Sequence, residues 1–312
     1  MDRAAAAPET MMTLPDSIRV FERGWLSANN VLLIGRHDTA LIDSGYVTHA
    51  PQTLALVRHA LPGRRLDRLY TTHLHSDHCG GNALLQGHYG CDTFVPAAEE
   101  DKVRHWNEDA LTFKATGQQC PRFTIDGVVH PGDVLTVGDL EWHVLGAPGH
   151  HAHSLIWYCP AHKILISADA LWQNGFGVIF PELEGEEGFA EAGATLDLIA
   201  SLDVQLVIPG HGAMFDDVAA ALTRARRRLD FLSSKPANNA EYAVKVLLKF
   251  LLLERQRIPV AGVQALLASI PLVVETNRRH LHKSEEELAT WAIKQLVRGL
   301  AAKVEGEDLV NV

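Results

Sequence analysis

The sequence His73-Leu74-His75-Ser76-Asp77-His78 places four potential metal ligands within six positions. Apolar and β-branched residues at 66–72 precede it, and Gly80-Gly81-Asn82 follows it. This order indicates a loop at the C-terminal end of a strand, where α/β folds usually carry their chemistry. Residues two apart in an extended segment point the same way, so His73 and His75 can reach one ion together. After a turn, Asp77 and His78 can reach a second point nearby.

The residue types in this cluster favour a transition metal. Imidazole nitrogen suits zinc, iron and copper, and a carboxylate beside it widens the choice toward iron and manganese. Four unpaired titratable groups this close together are costly to desolvate, and a bound divalent cation removes that cost. For any single histidine the alternative is a solvated polar loop, but the complete run favours a metal site.

Composition limits the classes of protein to which the chain can belong. Its 312 residues, 47% of them hydrophobic, accommodate one large domain or two with a sizeable core. No run of apolar residues is long enough for a membrane span. The net charge of −10 gives a nucleic-acid partner no general electrostatic attraction. The four cysteines form no C-x-x-C pair, which predicts free thiols in a reducing compartment.

The first 15 residues are rich in alanine, contain proline and show little pattern. They have no apolar core long enough for a secretory signal. We therefore expect residues 1–15 to form a flexible tail on a cytoplasmic protein.

Hydrophobic periodicity and turn residues divide the remainder into alternating strands and helices. The first three strands form an antiparallel meander, and Gly138-Asp139 marks a hairpin. Residues 105–121 are irregular and are predicted to be an insertion or lid. The predicted strands are 18–21, 30–34, 39–42, 66–72, 93–95, 133–137, 140–145, 155–158, 163–167 and 204–208. The predicted helices are 49–60, 82–86, 97–104, 189–201, 218–232, 240–255 and 288–303.

Further metal-ligand candidates follow other predicted strands. His150 comes after the strand at 140–145, Asp169 after 163–167 and His211 after 204–208. Two β-rich halves, each with helices, would thus deliver side chains to one shared edge. Taken alone, Asp169 or His211 would be read as a turn residue, but their recurrence at strand ends favours one common site.

The complete motif set resembles the metallo-β-lactamase superfamily. The matching segments are HxHxDH at 73–78, Gly149-His150, Ala168-Asp169 and Gly210-His211-Gly212, and they span roughly residues 18–215. The resemblance implies an α+β fold, a four-layer αββα sandwich. The catalytic domain is assigned to residues 16–216, and the change in composition after about residue 216 predicts a C-terminal helical domain at 217–312. Aspartate rather than cysteine at 169 is similar to the hydrolase branch related to glyoxalase II.

The same resemblance implies a binuclear metal centre. One metal would be held by His73, His75 and His150. The other would be held by Asp77, His78 and His211, with Asp169 bridging the two. Two divalent ions are expected, zinc before iron or manganese. Asp43 matches the family's supporting aspartate and is a candidate partner for a ligating histidine.

Such a site indicates a hydrolase. Two close cations lower the pKa of a shared water, and the resulting bridging hydroxide attacks an electrophilic carbon or phosphorus. Asp77 is the predicted catalytic residue, placed to orient this hydroxide and take up its proton. The expected substrate is a thioester, lactone or related ester of a small molecule. An iron-dependent persulfide dioxygenase, a metal-dependent nuclease or phosphodiesterase, and a scaffold without catalysis are the alternatives.

Several residues are candidates for the substrate pocket or for supporting contacts. His151 and His153 replace smaller residues common in the family's third motif and could contact substrate or form a polar surrounding. Trp172 follows the expected bridging aspartate and could line the pocket or pack. Substrate choice is expected to reside in residues 105–121, in the 172–188 loop and in the C-terminal helices.

The C-terminal region is predicted to be helical. Ser284 to Glu287 has the form of a capping box. The basic run Arg224-Ala225-Arg226-Arg227-Arg228 is interpreted as a solvated helix face. These helices would cover the active-site cleft or form a homodimer contact. The acidic total charge and the lack of interleaved aromatic residues disfavour a nucleic-acid partner.

Overall fold

The computed structural model describes residues 14–312. Most of the predicted tail at 1–15 therefore lies outside the described residues.

Three sheets contain the strands of the described chain. The strands are β1 (Ile18–Phe21), β2 (Asn30–Ile34), β3 (Thr39–Ile42), β4 (Arg68–Tyr70), β5 (Asp92–Pro96), β6 (Gly127–Val129), β7 (Val134–Val137), β8 (Leu140–Gly146), β9 (Leu155–Cys159), β10 (Ile164–Ala168), β11 (Leu206–Pro209), β12 (Arg257–Pro259), β13 (Ala302–Glu305) and β14 (Asp308–Asn311).

Helices flank the two larger sheets and fill the C-terminal region. They are α1 (Ala50–Ala60), α2 (Ser76–Cys79), α3 (Asn82–Tyr89), α4 (Glu100–Arg104), α5 (Phe113–Thr116), α6 (Phe180–Glu184), α7 (Phe189–Ser201), α8 (Val218–Ser233), α9 (Pro236–Arg255), α10 (Val263–Ala268), α11 (Pro271–Thr276) and α12 (Glu285–Arg298). Short 3-10 turns occupy Val47–His49, Ala97–Glu99 and Val260–Gly262, and a π turn occupies Asn277–Leu281.

The first sheet has the order β1-β2-β3-β4-β5-β6. The pairs from β1 to β3 are antiparallel, as the predicted meander requires, and those from β3 to β6 are parallel. Side chains alternate across it because successive residues of a strand point to opposite faces. In β2, Val31 and Leu33 face the second sheet, whereas Leu32 packs with Val57 of α1 and Leu85 of α3.

The second sheet has the order β11-β10-β9-β8-β7 and repeats this alternation. In β9, Leu155 and Trp157 belong to the core between the sheets. Ile156 instead packs with Leu196 of α7 and Ala221 of α8. The layers are therefore helix, sheet, sheet, helix, and the predicted αββα sandwich is confirmed.

The C-terminal region differs from its prediction in two places. α9 starts at Pro236 rather than Ala240, because proline lacks the N–H that the first helical turn leaves free. The helix predicted over 288–303 ends at Arg298, and the following residues form β13 and β14, which join β12 in a third sheet. Helices still dominate this region. The domain boundary at 216 and the predicted homodimer stay predictions.

Smaller differences concern element ends. β6 was missed by sequence analysis, β11 begins at Leu206 rather than Val204, and α3 continues to Tyr89. The segment 105–121 is irregular as predicted, apart from the single turn α5. The hydrophobic periodicity of the sequence therefore predicts where helices and strands lie better than it predicts where they begin and end.

No single helix within residues 14–312 is long and apolar enough to cross a membrane. The segments Val260–Ala268 and Pro271–Leu281 reach the required length and composition only when counted together, and they meet at 83°.

Candidate metal centre

Four strand ends bring the predicted site residues together. The HxHxDH segment follows β4, His150 follows β8, Asp169 follows β10 and His211 follows β11. The segment is not wholly a loop, because its second half forms the short helix α2, which starts after His75. His73 and His75 thus precede a helical turn that holds Asp77 and His78, and the two pairs point to different places.

One group of ring nitrogens converges at the first place. His73 Nε2 lies 3.0 Å from His75 Nδ1, and His75 Nδ1 lies 2.8 Å from His150 Nε2. Burial, with the neighbouring rings adding to it, lowers the pKa of His73 and of His75 well below the ordinary value. Burial also lowers the pKa of His150. These three imidazoles are therefore neutral and can act as metal ligands.

A second group forms around Asp77. Its Oδ2 lies 3.0 Å from His211 Nε2 and 3.9 Å from His78 Nε2. Burial opposes the charged carboxylate, but His78 and His211 prevail and lower the pKa of Asp77. Burial likewise opposes a charged His78, yet the surrounding aspartates, Asp43 foremost, raise its pKa well above the ordinary value.

Asp169 lies between the two groups. Its Oδ2 is 3.3 Å from His150 Nε2 in the first group. Its Oδ1 is 3.4 Å from His78 Nε2 and 3.8 Å from His211 Nε2 in the second. Burial alone would raise the pKa of Asp169, but the histidines around it lower the pKa strongly, so it is a carboxylate. One oxygen faces each group, which is the arrangement a bridging ligand requires.

The arrangement of donors and acceptors fits a pair of cations. A neutral imidazole has one acceptor nitrogen, and where several such nitrogens face one another there are too few N–H donors for all of them. A cation between them satisfies their lone pairs. His78 Nε2 is buried without a hydrogen-bond partner and points toward the same space. The ligand-atom groups close enough to hold an ion are His73, His75 and His150; His73, His78 and Asp169; and Asp77, His78 and His211.

Asp43 supports the second group through the nitrogen of His78 that faces away from the centre. Its Oδ2 accepts a hydrogen bond from His78 Nδ1 at 2.7 Å and from Thr72 Oγ1 at 2.8 Å, and its Oδ1 accepts from the Thr72 amide at 2.8 Å. Asp43 has φ +60, a left-handed conformation that aspartate and asparagine tolerate better than most residues. These bonds fix which nitrogen of His78 faces the centre.

His150 is fixed in a comparable way. Its Nδ1 donates to the Val178 carbonyl at 2.6 Å, which leaves Nε2 free for the first group. Glycine at 177 is required beside it, since an added Cβ would lie 2.2 Å from His150 Nδ1. Glycine at 210 is required for the same reason, because its Cβ would lie 2.2 Å from Asp169 Oδ1.

Asn29 secures the turn that carries His211. Its side-chain amide donates to the Pro209 carbonyl at 2.9 Å and to the Gly212 carbonyl at 2.8 Å. Its backbone N–H donates to the Gly210 carbonyl at 2.7 Å. A loop of the first sheet therefore sets the position of a residue that follows the second sheet.

His151 and His153 lie beside the centre rather than in its cavity. Both Nε2 atoms approach the buried carboxylate of Glu99, at 3.9 Å from His151 and 3.7 Å from His153. Lys102 pairs with the same carboxylate at 3.0 Å. The structure thus favours the polar surrounding over substrate contact for these two histidines.

A cavity of about 880 Å³ opens over the centre. Trp172 lines it, as predicted, and donates from Nε1 to Asp169 Oδ1 at 3.3 Å. Trp25, which sequence analysis missed, stacks on the His211 ring at 5.5 Å with 6° between the planes. Trp25 is 53% exposed, and this exposure of a large aromatic side chain cannot be read from its sequence neighbourhood.

The C-terminal helices supply the far wall of the cavity. Apolar side chains Val246, Leu247 and Phe250 of α9 line it, and so do the cations Arg228 and Lys245. Arg228 lies over the Tyr242 ring, 4.1 Å from its centre, and its Nε is buried without a hydrogen-bond partner. Burial lowers the pKa of Lys245, despite Glu241 one turn away. This wall agrees with the prediction that the C-terminal helices cover the active-site cleft.

A known protein family covers the part of the chain that contains these residues. The model of the metallo-beta-lactamase superfamily matches residues 23–211. The chain belongs to the metallo-beta-lactamase superfamily. All of the candidate ligands lie inside the matched range, with His211 at its end. Their individual roles as ligands stay predictions.

Relatives within the superfamily include hydroxyacylglutathione hydrolases, which are also called glyoxalase II. A hydroxyacylglutathione hydrolase of Brucella anthropi is 30% identical over 215 residues, which are 69% of this chain and 67% of the relative. The hydroxyacylglutathione hydrolase of Brucella ovis is 28% identical over 153 residues, so the match spans about half the length of that relative, 48%. The predicted enzyme class, a metal-dependent hydrolase related to glyoxalase II, is confirmed.

Solved structures agree on the fold. A metallo-beta-lactamase family protein from Thermus thermophilus aligns over 96% of this chain and 100% of its own, with a TM-score of 0.58 and 18% identity. The metallo-beta-lactamase SMB-1 aligns over 70% of this chain and 94% of its own, with a TM-score of 0.56 and 18% identity. The first alignment includes most of the C-terminal region.

Proposed function

We propose that this chain hydrolyses a thioester, lactone or related ester of a small molecule that also carries an anionic group. Two divalent ions, zinc before iron or manganese, would be its cofactors. The observation that carries the proposal is Asp169, whose two oxygens face two separate groups of imidazole and carboxylate ligands.

His73, His75 and His150 would hold one ion, and Asp77, His78 and His211 the other, with Asp169 shared between them. When bound, such a pair of cations acidifies a water molecule and polarises the carbonyl of the substrate. The Asp77 side chain is 14% exposed and borders the cavity. Its carboxylate can therefore orient the attacking water and accept its proton, as a general base must do.

The surrounding residues position the substrate. Trp25 and Trp172 form the aromatic wall near His211, and their flat faces exclude water from that side. The strip of α9 side chains that includes Val246 and Phe250 suits the apolar part of an ester.

Charge in the cavity favours an anionic substrate. The carboxylates that line the cavity, Asp77 and Asp169, both belong to the metal groups. Arg228, Lys245 and Arg298 on the far wall form no ion pair with a carboxylate of residues 14–312. A carboxylate or phosphate on the substrate would pair with them in a partly desolvated place. The thioester choice is supported by the relatives, which are hydroxyacylglutathione hydrolases.

Metal analysis tests the proposal first. Protein purified without added metal or chelator is expected to contain two zinc or manganese ions per chain. Asp169→Ala should lose most of this metal because it removes an oxygen from each group. His59→Ala is the matched control, since His59 is exposed in the last turn of α1 and belongs to none of the ligand groups. One iron per chain, retained in His211→Ala, would overturn the binuclear hydrolase and favour the persulfide dioxygenase.

Paired substrates test the anionic class. Thioesters and lactones should be compared with and without a carboxylate on the same skeleton. We expect the charged member of each pair to have the higher kcat/KM, and Lys245→Gln to raise KM for that member alone. Equal values for both members in the parent enzyme would contradict the anionic class while leaving the hydrolase intact.

A further inference from the structure

We propose that Cys79 and Cys120 form a reactive thiol pair that a peroxide converts to a disulfide. The bond would tie the cavity wall at residues 105–121 to α2, the helix that carries Asp77 and His78. This inference concerns a modification site and does not depend on which ester the enzyme hydrolyses.

The two sulfurs already touch. Cys79 Sγ and Cys120 Sγ lie 3.7 Å apart although 41 residues separate them in the chain. A disulfide needs them at about 2.05 Å, so they must approach by less than the width of one atom. Cys79 is buried and Cys120 is half-buried, so an oxidant reaches Cys120 first.

Neighbouring contacts hold both sulfurs in place. Cys79 Sγ donates to the His75 carbonyl at 3.2 Å. On the other side, Ser76 Oγ donates to Gln118 Oε1, and the Gln119 amide donates to Tyr46 Oη at 3.2 Å. The residues before Cys120 are thus fastened to α2 and to the 46–49 turn, and the short sulfur separation is part of an ordered contact.

The chemistry proceeds in two balanced steps. Hydrogen peroxide oxidises the Cys120 thiol to a sulfenic acid and is itself reduced to water. The Cys79 sulfur then attacks the Cys120 sulfur, the S–S bond forms, and the sulfenic oxygen leaves as a second water that carries the Cys79 proton. A thiol reductant reverses the bond.

Cross-linking would change the site through its backbone supports. A disulfide has no S–H, so the hydrogen bond from Cys79 to the His75 carbonyl is lost. Thr116 and Gln118, which line the cavity, become covalently tied to α2. We therefore expect the oxidised protein to have a lower kcat/KM that dithiothreitol restores.

The remaining cysteines provide internal controls. Cys159 lies in the core between the sheets, and Cys91 packs under α1 and α3. Both are buried, and neither is within hydrogen-bond distance of another sulfur in the described part of the chain. They should stay reduced under conditions that oxidise the pair.

Peptide mapping of peroxide-treated protein decides the question. Trypsin leaves Cys79 and Cys91 on one fragment, 69–102, and Cys120 on another, 115–122. Chymotrypsin must be added, because Tyr89 lies between Cys79 and Cys91 and its cleavage separates them. We expect a reducible cross-link between the Cys79 and Cys120 fragments, and a fall from the four free thiols of the untreated protein to two.

Two variants sharpen the test. Cys120→Ser should abolish the cross-link and the sensitivity to peroxide, whereas Cys91→Ser should keep both. A cross-link that joins Cys120 to Cys91, or four thiols remaining after treatment, would overturn the proposal. So would a Cys120→Ser protein that peroxide inactivates as fast as the parent. The thiol count and the map are read without any substrate.

Discussion

Single residues behind the candidate ligands decide how the imidazole rings are oriented. Asp43 and the Val178 carbonyl each occupy the second nitrogen of a ring whose other nitrogen faces the centre. A ligand ring that lost such a partner could rotate or change tautomer. Substitution of such a supporting residue should therefore change metal binding while every candidate ligand stays in place.

Asp43→Asn should weaken metal binding without disturbing the backbone. Asparagine tolerates φ +60 as aspartate does, so the turn should persist. The amide accepts more weakly than the carboxylate from His78 Nδ1, and loss of such a partner typically costs about 10–100-fold in metal affinity or activity. Competition with a chelator measures the affinity. Unchanged affinity would show that Asp43 does not support the ligand.

Gly177→Ala should displace His150. The new Cβ would lie 2.2 Å from His150 Nδ1, so the ring must move and its bond to the Val178 carbonyl must break. We expect one of the two proposed metal ions to be lost. Gly193→Ala is the matched control, because its Cβ would meet only Leu229 Cδ2 at 3.6 Å and alanine favours the helix. Metal content and circular dichroism of both variants give the result.

The sequence was most informative about residues whose chemistry is local. The HxHxDH segment, His150, Asp169 and His211 stand out because a strand precedes each of them. Trp25, Glu99 and Lys245 do not stand out, because their roles arise from contacts across long sequence distances. Glu99 is 1% exposed and lies beside His151, His153 and Lys102, and no periodic pattern in the sequence predicts such contacts.

At the scale of elements, α12 carries the predicted capping box. Ser284 Oγ accepts from the Glu287 amide at 3.2 Å, and the Glu287 carboxylate accepts from the Ser284 amide at 2.8 Å. The backbone hydrogen bond from Ser284 lowers the pKa of Glu287. A lowered carboxylate pKa means stability that is present above the unfolded pKa and is lost as the pH falls through the folded value.

Glu287→Gln should therefore lower the Tm at pH 7 by a small amount. The difference from the parent should close as the pH falls below the ordinary glutamate pKa, because the protonated parent then resembles the variant. Thermal unfolding followed by circular dichroism at pH 7 and in acid measures this. A difference in Tm that persists unchanged in acid would contradict a charged cap.

Element types were predictable wherever a pattern ran long enough. The mainly apolar runs of β9 and β10 and the helical period of α7 identify these elements from their own residues. The third sheet was missed because its strands are short and mostly exposed or half-buried, so no apolar run marks them in the sequence.

For the molecule as a whole, Tyr46 connects regions that are far apart in sequence. Its hydroxyl accepts from the Gln119 amide at 3.2 Å and donates to Glu254 Oε1 of α9 at 3.0 Å. Its ring packs edge-on against Phe250 at 4.9 Å. The first sheet's turn, the 105–121 segment and the C-terminal region therefore meet at one buried side chain.

Tyr46→Phe should destabilise the protein by about 1–3 kcal/mol, because it leaves a partly buried amide and a carboxylate without their partner. Chemical denaturation measures the free energy of unfolding. Tyr158→Phe is a comparable control, since its hydroxyl bonds only the Asp203 carbonyl near the surface. Equal losses in the two variants would argue against a special linking role for Tyr46.

The hydrogen bonds from Asn29 to the turn that carries His211 also have a consequence for folding during synthesis. Asn29 leaves the ribosome early, and Pro209, its first carbonyl partner, follows 180 residues later. At ordinary rates of synthesis this interval lasts about 10–35 s. The nascent chain meanwhile displays HxHxDH without His150, Asp169 or His211. Metal can therefore enter a complete centre only after both sheets have emerged and joined.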